Sequence, residues 1–135
     1  MPLVSRAFIL TGLAHLLAAM VLGVAVAAGP GALGLPPTVA PVYVHLLAVG
    51  WLTQLIFGVA HWMFPGRPRA PSMVSRVVLW ACYALLNLGL VARAVAEPLV
   101  GRGGGWRVVL VAAGVAQLIA VVLFVGHTWP RVRAR

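Results

Sequence analysis

Four apolar stretches, at 5–28, 39–64, 73–96 and 106–129, occupy most of this 135-residue chain. Crossing about 30 Å of hydrocarbon takes roughly 20 predominantly apolar residues as a helix, and each stretch meets that length. Inside hydrocarbon every backbone amide must find its partner within the protein, so a lone stretch of this kind folds as an α-helix. The breaks carry helix-ending residues: Gly29-Pro30-Gly31 through Pro36-Pro37, Pro65-Gly66-Arg67-Pro68, and Glu97-Pro98 through Gly103-Gly104-Gly105, with Pro130 closing the fourth stretch. The spacing predicts an all-α, integral membrane four-helix bundle. No remaining stretch could hold a second domain, so 1–135 reads as one unit.

Composition excludes the alternatives. The chain is 63% hydrophobic and 8% charged, with a mean hydropathy of +1.07, against about 25% charged residues in an ordinary soluble domain. Glu97 is the sole acid. So few charges cannot solvate a cytosolic enzyme, a disordered regulator or a disulfide-built secreted module. The net charge of +9 comes entirely from arginines, which sit at the ends of apolar runs rather than along one face, so it does not indicate nucleic acid. Cys82 lies within an apolar run, without an intrachain partner, as an inert core residue. The first stretch resembles a secretory leader in outline, but its run of about 20 residues exceeds the 7–15 of a leader's apolar region, so it is expected to remain as a helix.

Arginine placement sets the expected orientation. Arg6, Arg67, Arg69, Arg76, Arg131, Arg133 and Arg135 fall on one side of an even-helix bundle, and Arg93, Arg102 and Arg107 on the other with Glu97. Seven against three predicts that both termini are cytoplasmic. Trp62 and Trp129 then lie at the inner interface and Trp106 at the outer, as anchors. A faint internal echo, Ser5-Arg6 against Ser75-Arg76 and His61-Trp62 against His127-Thr128-Trp129, fits either a duplicated hairpin or four helices obeying the same interface rules.

The polar residues within the stretches are few. Counting about 1.5 Å per residue from the inner helix ends, His15, Gln54, Asn87 and Gln117 share a depth near the midplane. Such a layer serves as interhelical hydrogen-bonding glue, worth about 0.6–2 kcal/mol per bond, or as a proton or quinone site, which the absence of a companion carboxylate disfavours. His15 shares a stripe with Gly12, Ala19 and Gly23, which favours close helix approach over a large cofactor. His61 and His127 lie about one turn from the inner interface, where water and headgroups solvate imidazole. Two histidines without Cys or carboxylate do not make a zinc site.

His45 stands apart, two turns inside the outer end of the second helix. At 100° per residue, Val49, Leu52, Ile56 and Val59 fall within about 40° of its direction. A histidine at the head of an aliphatic stripe suits haem, with imidazole on iron and the stripe against the macrocycle. Buried histidines are also often only hydrogen-bonded, and on spacing alone both roles stay open.

The segment Tyr43-Val44-His45-Leu46-Leu47-Ala48-Val49-Gly50-Trp51, continuing through Ile56, Gly58 and the His61-Trp62-Met63-Phe64-Pro65 ending, resembles the H-x-H-x-x-x-x-G-W helix of haem-copper oxidase subunit I. It is similar also to small four-helix proteins of that superfamily and to its nitric-oxide-response membrane proteins. Subunit I has twelve helices in three groups of four, and this chain would correspond to one group, with specific likeness over about 25 residues of its second helix.

The resemblance implies that His45 ligates a low-spin haem b. Tyr43 stands where the family has the ligand of the high-spin haem, and the copper ligands have no counterpart, so no oxygen-reducing binuclear centre and no catalytic residue is expected. The protein would be an electron carrier rather than an oxidase, exchanging electrons with a redox partner protein or a quinone. The family holds its low-spin haem between histidines of two four-helix groups. The resemblance therefore implies a homo-oligomer, a trimer in preference to a dimer, in a bacterial or archaeal cytoplasmic membrane. His15 is the further candidate ligand, although residue counting puts it roughly 10 Å from His45 in depth. Arg102 and Arg107 occupy the loop where the family contacts the haem propionates, with Arg93 one turn below. Guanidinium suits carboxylate in two-point contact, though arginines there also serve as plain loop charges. The alternative expectation is a cofactor-free assembly or packing partner of a respiratory membrane complex.

Overall fold

The computed structural model describes residues 1–29, 37–64 and 73–133. Loop positions 30–36 and 65–72, with Arg67 and Arg69, and the tail from 134, with Arg135, lie outside the described residues. Four helices are long and apolar enough to cross a membrane. Helix α1 spans Leu3–Ala27 and α2 spans Ala40–Met63. Helix α3 spans Met73–Leu99, and α4 spans Trp106–Arg133. The chain folds as two hairpins, α1 against α2 and α3 against α4, with α3 closing on the first pair.

The ends depart from expectation in two places. Pro98 does not stop α3 before it, and the helix runs to Leu99 before tightening into a 3-10 turn at Val100–Arg102. A proline near a helix end removes one N–H bond, a smaller loss than in mid-helix. The extra turn carries Glu97 out of the expected loop and into the helix. Pro130 likewise lies within α4 rather than closing it. The α3–α4 turn is made by Gly103, Gly104 and Gly105, all at positive φ between 70° and 76°, where a Cβ would be strained.

Helix α2 is not uniform. Ala40–His45 and Gln54–Met63 are α-helical, and Leu46–Thr53 between them is wound as a π-helix. The Thr53 hydroxyl donates to the Ala48 carbonyl at 2.8 Å, satisfying a carbonyl of the widened segment. Each residue of such a turn advances roughly 20° less than in an α-helix, so angular counting across it slips. The stripe expected below His45 is accordingly broken: Val49 packs toward the core, whereas Leu52, Ile56 and Val59 face outward and are exposed.

The main buried apolar cluster lies toward the end that carries the chain termini. Each helix contributes one ring: Phe8 meets Phe57 at 5.9 Å and Tyr83 at 5.3 Å edge-on, and Phe57 stacks on Phe124 at 3.7 Å. Leu79, Cys82, Leu86 and Ala120 fill in around them, and Cys82 is buried and unpaired as expected. Between apolar helices in an apolar medium, such packing and interhelical hydrogen bonds hold the bundle together. The opposite faces, including Leu10, Leu17, Val21 and Val24 of α1 and Leu118, Val122 and Val125 of α4, are exposed aliphatics.

Candidate functional site at the outer end of the bundle

His45 closes the first α-helical stretch of α2, facing α3. Its Nδ1 lies 2.8 Å from the carbonyl oxygen of Pro41, one turn back. A carbonyl only accepts, so Nδ1 carries the proton and Nε2 holds the lone pair. Among the described residues Nε2 has no hydrogen-bond partner, and the side chain is 29% exposed at the bundle's edge. Tyr43, two residues earlier, turns the other way and packs on Gly23 of α1, where a Cβ would come within 2.8 Å of its ring.

The extended α3 brings a carboxylate to this histidine. Glu97 accepts a hydrogen bond from Arg93 Nε at 3.1 Å, one turn back on the same helix, and its Oε1 lies 3.9 Å from His45 Nδ1. Its side chain is only 9% exposed, and its Oε2 is buried without a hydrogen-bond partner among the described residues. The expectation that Glu97 belongs to a loop, leaving no carboxylate within the helices, is thus corrected. The i, i+4 spacing of Arg93 and Glu97 was the available signal, obscured by Pro98. Arg93 is drawn into this pair, with one guanidinium nitrogen beside Gly114 of α4. Arg102 and Arg107 are exposed on either side of the glycine turn.

His15 is not part of this group. Gln54, fully buried, donates through Nε2 to both His15 Nδ1 and Asn87 Oδ1, each at 3.0 Å. Asn87 Nδ2 donates to the Tyr83 carbonyl at 2.8 Å and to Gln54 Oε1 at 3.4 Å. That carbonyl orients the whole chain of bonds: Asn87 must present its oxygen to Gln54, Gln54 its nitrogen to His15, and His15 therefore accepts at Nδ1 and carries its proton on Nε2. The lone pair a metal would need is already engaged. Three of the four residues expected in the midplane layer thus form one network. Gln117 does not join it; its Nε2 is buried without a partner among the described residues, beside Gly89.

At the opposite end, Arg131 Nη1 lies 3.1 Å from His61 Nδ1, His127 Nε2 lies 3.2 Å from Ser75 Oγ, and the two imidazoles are 6.2 Å apart. No group of three or more His, Cys, Asp or Glu arranged to hold a metal ion occurs among the described residues. Comparison with protein-family models, curated proteins and solved structures finds no match to this chain.

Proposed function

We propose that the chain is a multi-pass membrane protein, its termini cytoplasmic, that holds haem b through His45 Nε2 and passes electrons without reducing oxygen. The observation that carries this reading is the state of His45. A ligating imidazole characteristically donates its other ring N–H to a carbonyl or carboxylate, which fixes its tautomer and orientation. The Pro41 carbonyl accepts from that N–H here, Glu97 lies just beyond it, and Nε2 is left open at the bundle's edge. The residues present therefore fit one imidazole ligand.

A second imidazole from the same chain does not fit: His15 has its lone pair on Gln54, and His61 is 16 residues further along α2, roughly 24 Å at helical rise. Two-histidine ligation, which the resemblance implies, would therefore draw on a second copy's His45 across a subunit boundary. Bound there, haem b would supply reversible one-electron transfer. The chain's own residues would orient the imidazole through Pro41 and Glu97, and offer Arg102 and Arg107 to the propionates. Arg93 is already paired with Glu97 and is the weaker candidate for that contact.

One observation favours the cofactor-free alternative. The Arg93–Glu97–His45 group also ties α2 to α3, a purely structural role suited to an assembly partner. Pyridine haemochrome assay of wild type and His45→Ala separates the two: haem in wild type, lost in the variant, supports ligation, and equal content in both excludes it.

A further inference from the structure

The second cluster lies at the end of the bundle that carries the termini, and among the described residues it holds a cation with no carboxylate beside it. Arg131 of α4 is part-buried, and its one hydrogen bond to a described residue is to a neutral imidazole, His61 Nδ1 of α2. The guanidinium can only donate, so His61 carries its proton on Nε2 and becomes a donor in turn. His127 lies 6.2 Å from His61, between that ring and Ser75 of α3. Three helices thus converge on one arginine and two imidazoles.

Among the described residues no carboxylate reaches this charge. The single acidic side chain, Glu97, is at the opposite end and already paired with Arg93. A guanidinium that is part-buried, held in place and without a carboxylate among the described residues is open to a counter-ion from outside. Its level identifies the source: His61 and Arg131 are each two residues from the ends of their helices, and the exposed indoles of Trp62 and Trp129 lie at the same height. Indoles at that position mark the headgroup layer of a bilayer, where the anion at hand is phosphate, matched by guanidinium in two-point contact.

We infer that Arg131, His61 and His127 bind the phosphate of an anionic phospholipid. The inference rests on the membrane reading and is independent of haem. Delipidated, detergent-purified full-length protein is titrated with phosphatidylglycerol, with phosphatidylcholine and with inorganic phosphate, and bound lipid is counted by native mass spectrometry. Haem content is read on the same samples, so loss of the haem reading leaves this result interpretable. Phosphatidylglycerol is expected to bind, Arg131→Gln to weaken it about tenfold, and Arg131→Lys to restore only part of that. Arg76→Gln, an exposed arginine at the same end, should change it less than about twofold. Equal loss in Arg131→Gln and Arg76→Gln would mean diffuse attraction and overturn the site. Equal binding of phosphatidylcholine, or displacement of phosphatidylglycerol by millimolar inorganic phosphate, would overturn the lipid assignment. Should Arg131→Gln fail to fold, His61→Phe together with Arg131→Lys decides the question: phosphatidylglycerol binding unchanged in both overturns the site.

Discussion

Glu97 Oε1 lies 3.9 Å from His45 Nδ1, across the contact between α3 and α2, while Arg93 Nε holds the same oxygen at 3.1 Å. One carboxylate therefore serves two elements, compensating an arginine on its own helix and facing the imidazole of another. Its second oxygen is buried and unpartnered among the described residues, so the group depends on its charge being matched by Arg93.

Glu97→Gln should accordingly destabilise the protein by about 2 kcal/mol, because it leaves the Arg93 guanidinium, 20% exposed, without its counter-charge. Arg93→Gln combined with Glu97→Gln should be no less stable than Glu97→Gln alone, since the double variant removes both charges. Denaturant unfolding of the three variants in detergent measures the cycle. Strictly additive losses would show that the two side chains are not coupled.

The midplane network makes a claim about a proton. His15 accepts from Gln54, so nitrogen NMR should report His15 as the Nε2–H tautomer, and Gln54→Leu should release it to a mixture. Gln54 and Asn87 should be coupled by about 0.6–1.7 kcal/mol in a double-variant cycle, the range for hydrogen bonds between membrane helices. An Nδ1–H tautomer in wild type would contradict the assignment of the network.

Packing against α1 is tested by glycine. A Cβ at Gly50 would fall 2.9 Å from His15 Cβ and Leu90 Cδ2, and one at Gly58 would fall 2.9 Å from Ile9 Cγ1 and 3.0 Å from the Ser5 carbonyl oxygen. Gly50→Ala and Gly58→Ala should each cost about 1–3 kcal/mol by forcing helices apart. Gly126→Ala, with nothing within 4 Å of its Cβ position, is the control and should be neutral or slightly stabilising by helix propensity. Thermal unfolding in one detergent ranks the three.

Much of this architecture is legible in the residues. Runs of more than twenty apolar residues separated by Pro and Gly determine four helices, because hydrocarbon-length segments leave the backbone little alternative. Equal depth along the helices brought His15, Gln54 and Asn87 together correctly, since rise per residue is nearly constant. Angle proved less secure than depth. The π-helix at Leu46–Thr53 has no sequence marker beyond Gly50, and it breaks the face that an unbroken α-helix would carry from His45 to Val59. Gln117 shares the depth of the network but points to Gly89, which depth alone cannot reveal. Glu97 was hidden for the opposite reason: Pro98 reads as a stop, whereas the helix absorbs it in its last turn.

The haem proposal makes a further prediction about assembly. With the lone pair of His15 engaged, two-histidine coordination consumes two His45 side chains, so the ratio of haem to chain should not exceed one to two. Mass measurement in mild detergent should show an oligomer, and reduced protein should be low-spin and bind little carbon monoxide. A haem-loaded monomer with a low-spin spectrum would contradict the intersubunit arrangement and return His15 to consideration as ligand.

The central claim is that His45 Nε2 is a haem ligand, and the reduced-minus-oxidised visible spectrum of purified protein beside His45→Ala and His61→Ala tests it most directly. Wild type and His61→Ala should show the sharp α and β bands of low-spin haem b, and His45→Ala should lose both bands and haem together. A wild-type preparation that binds no haem under haem-replete expression, or a His45→Ala spectrum indistinguishable from wild type, would contradict the account.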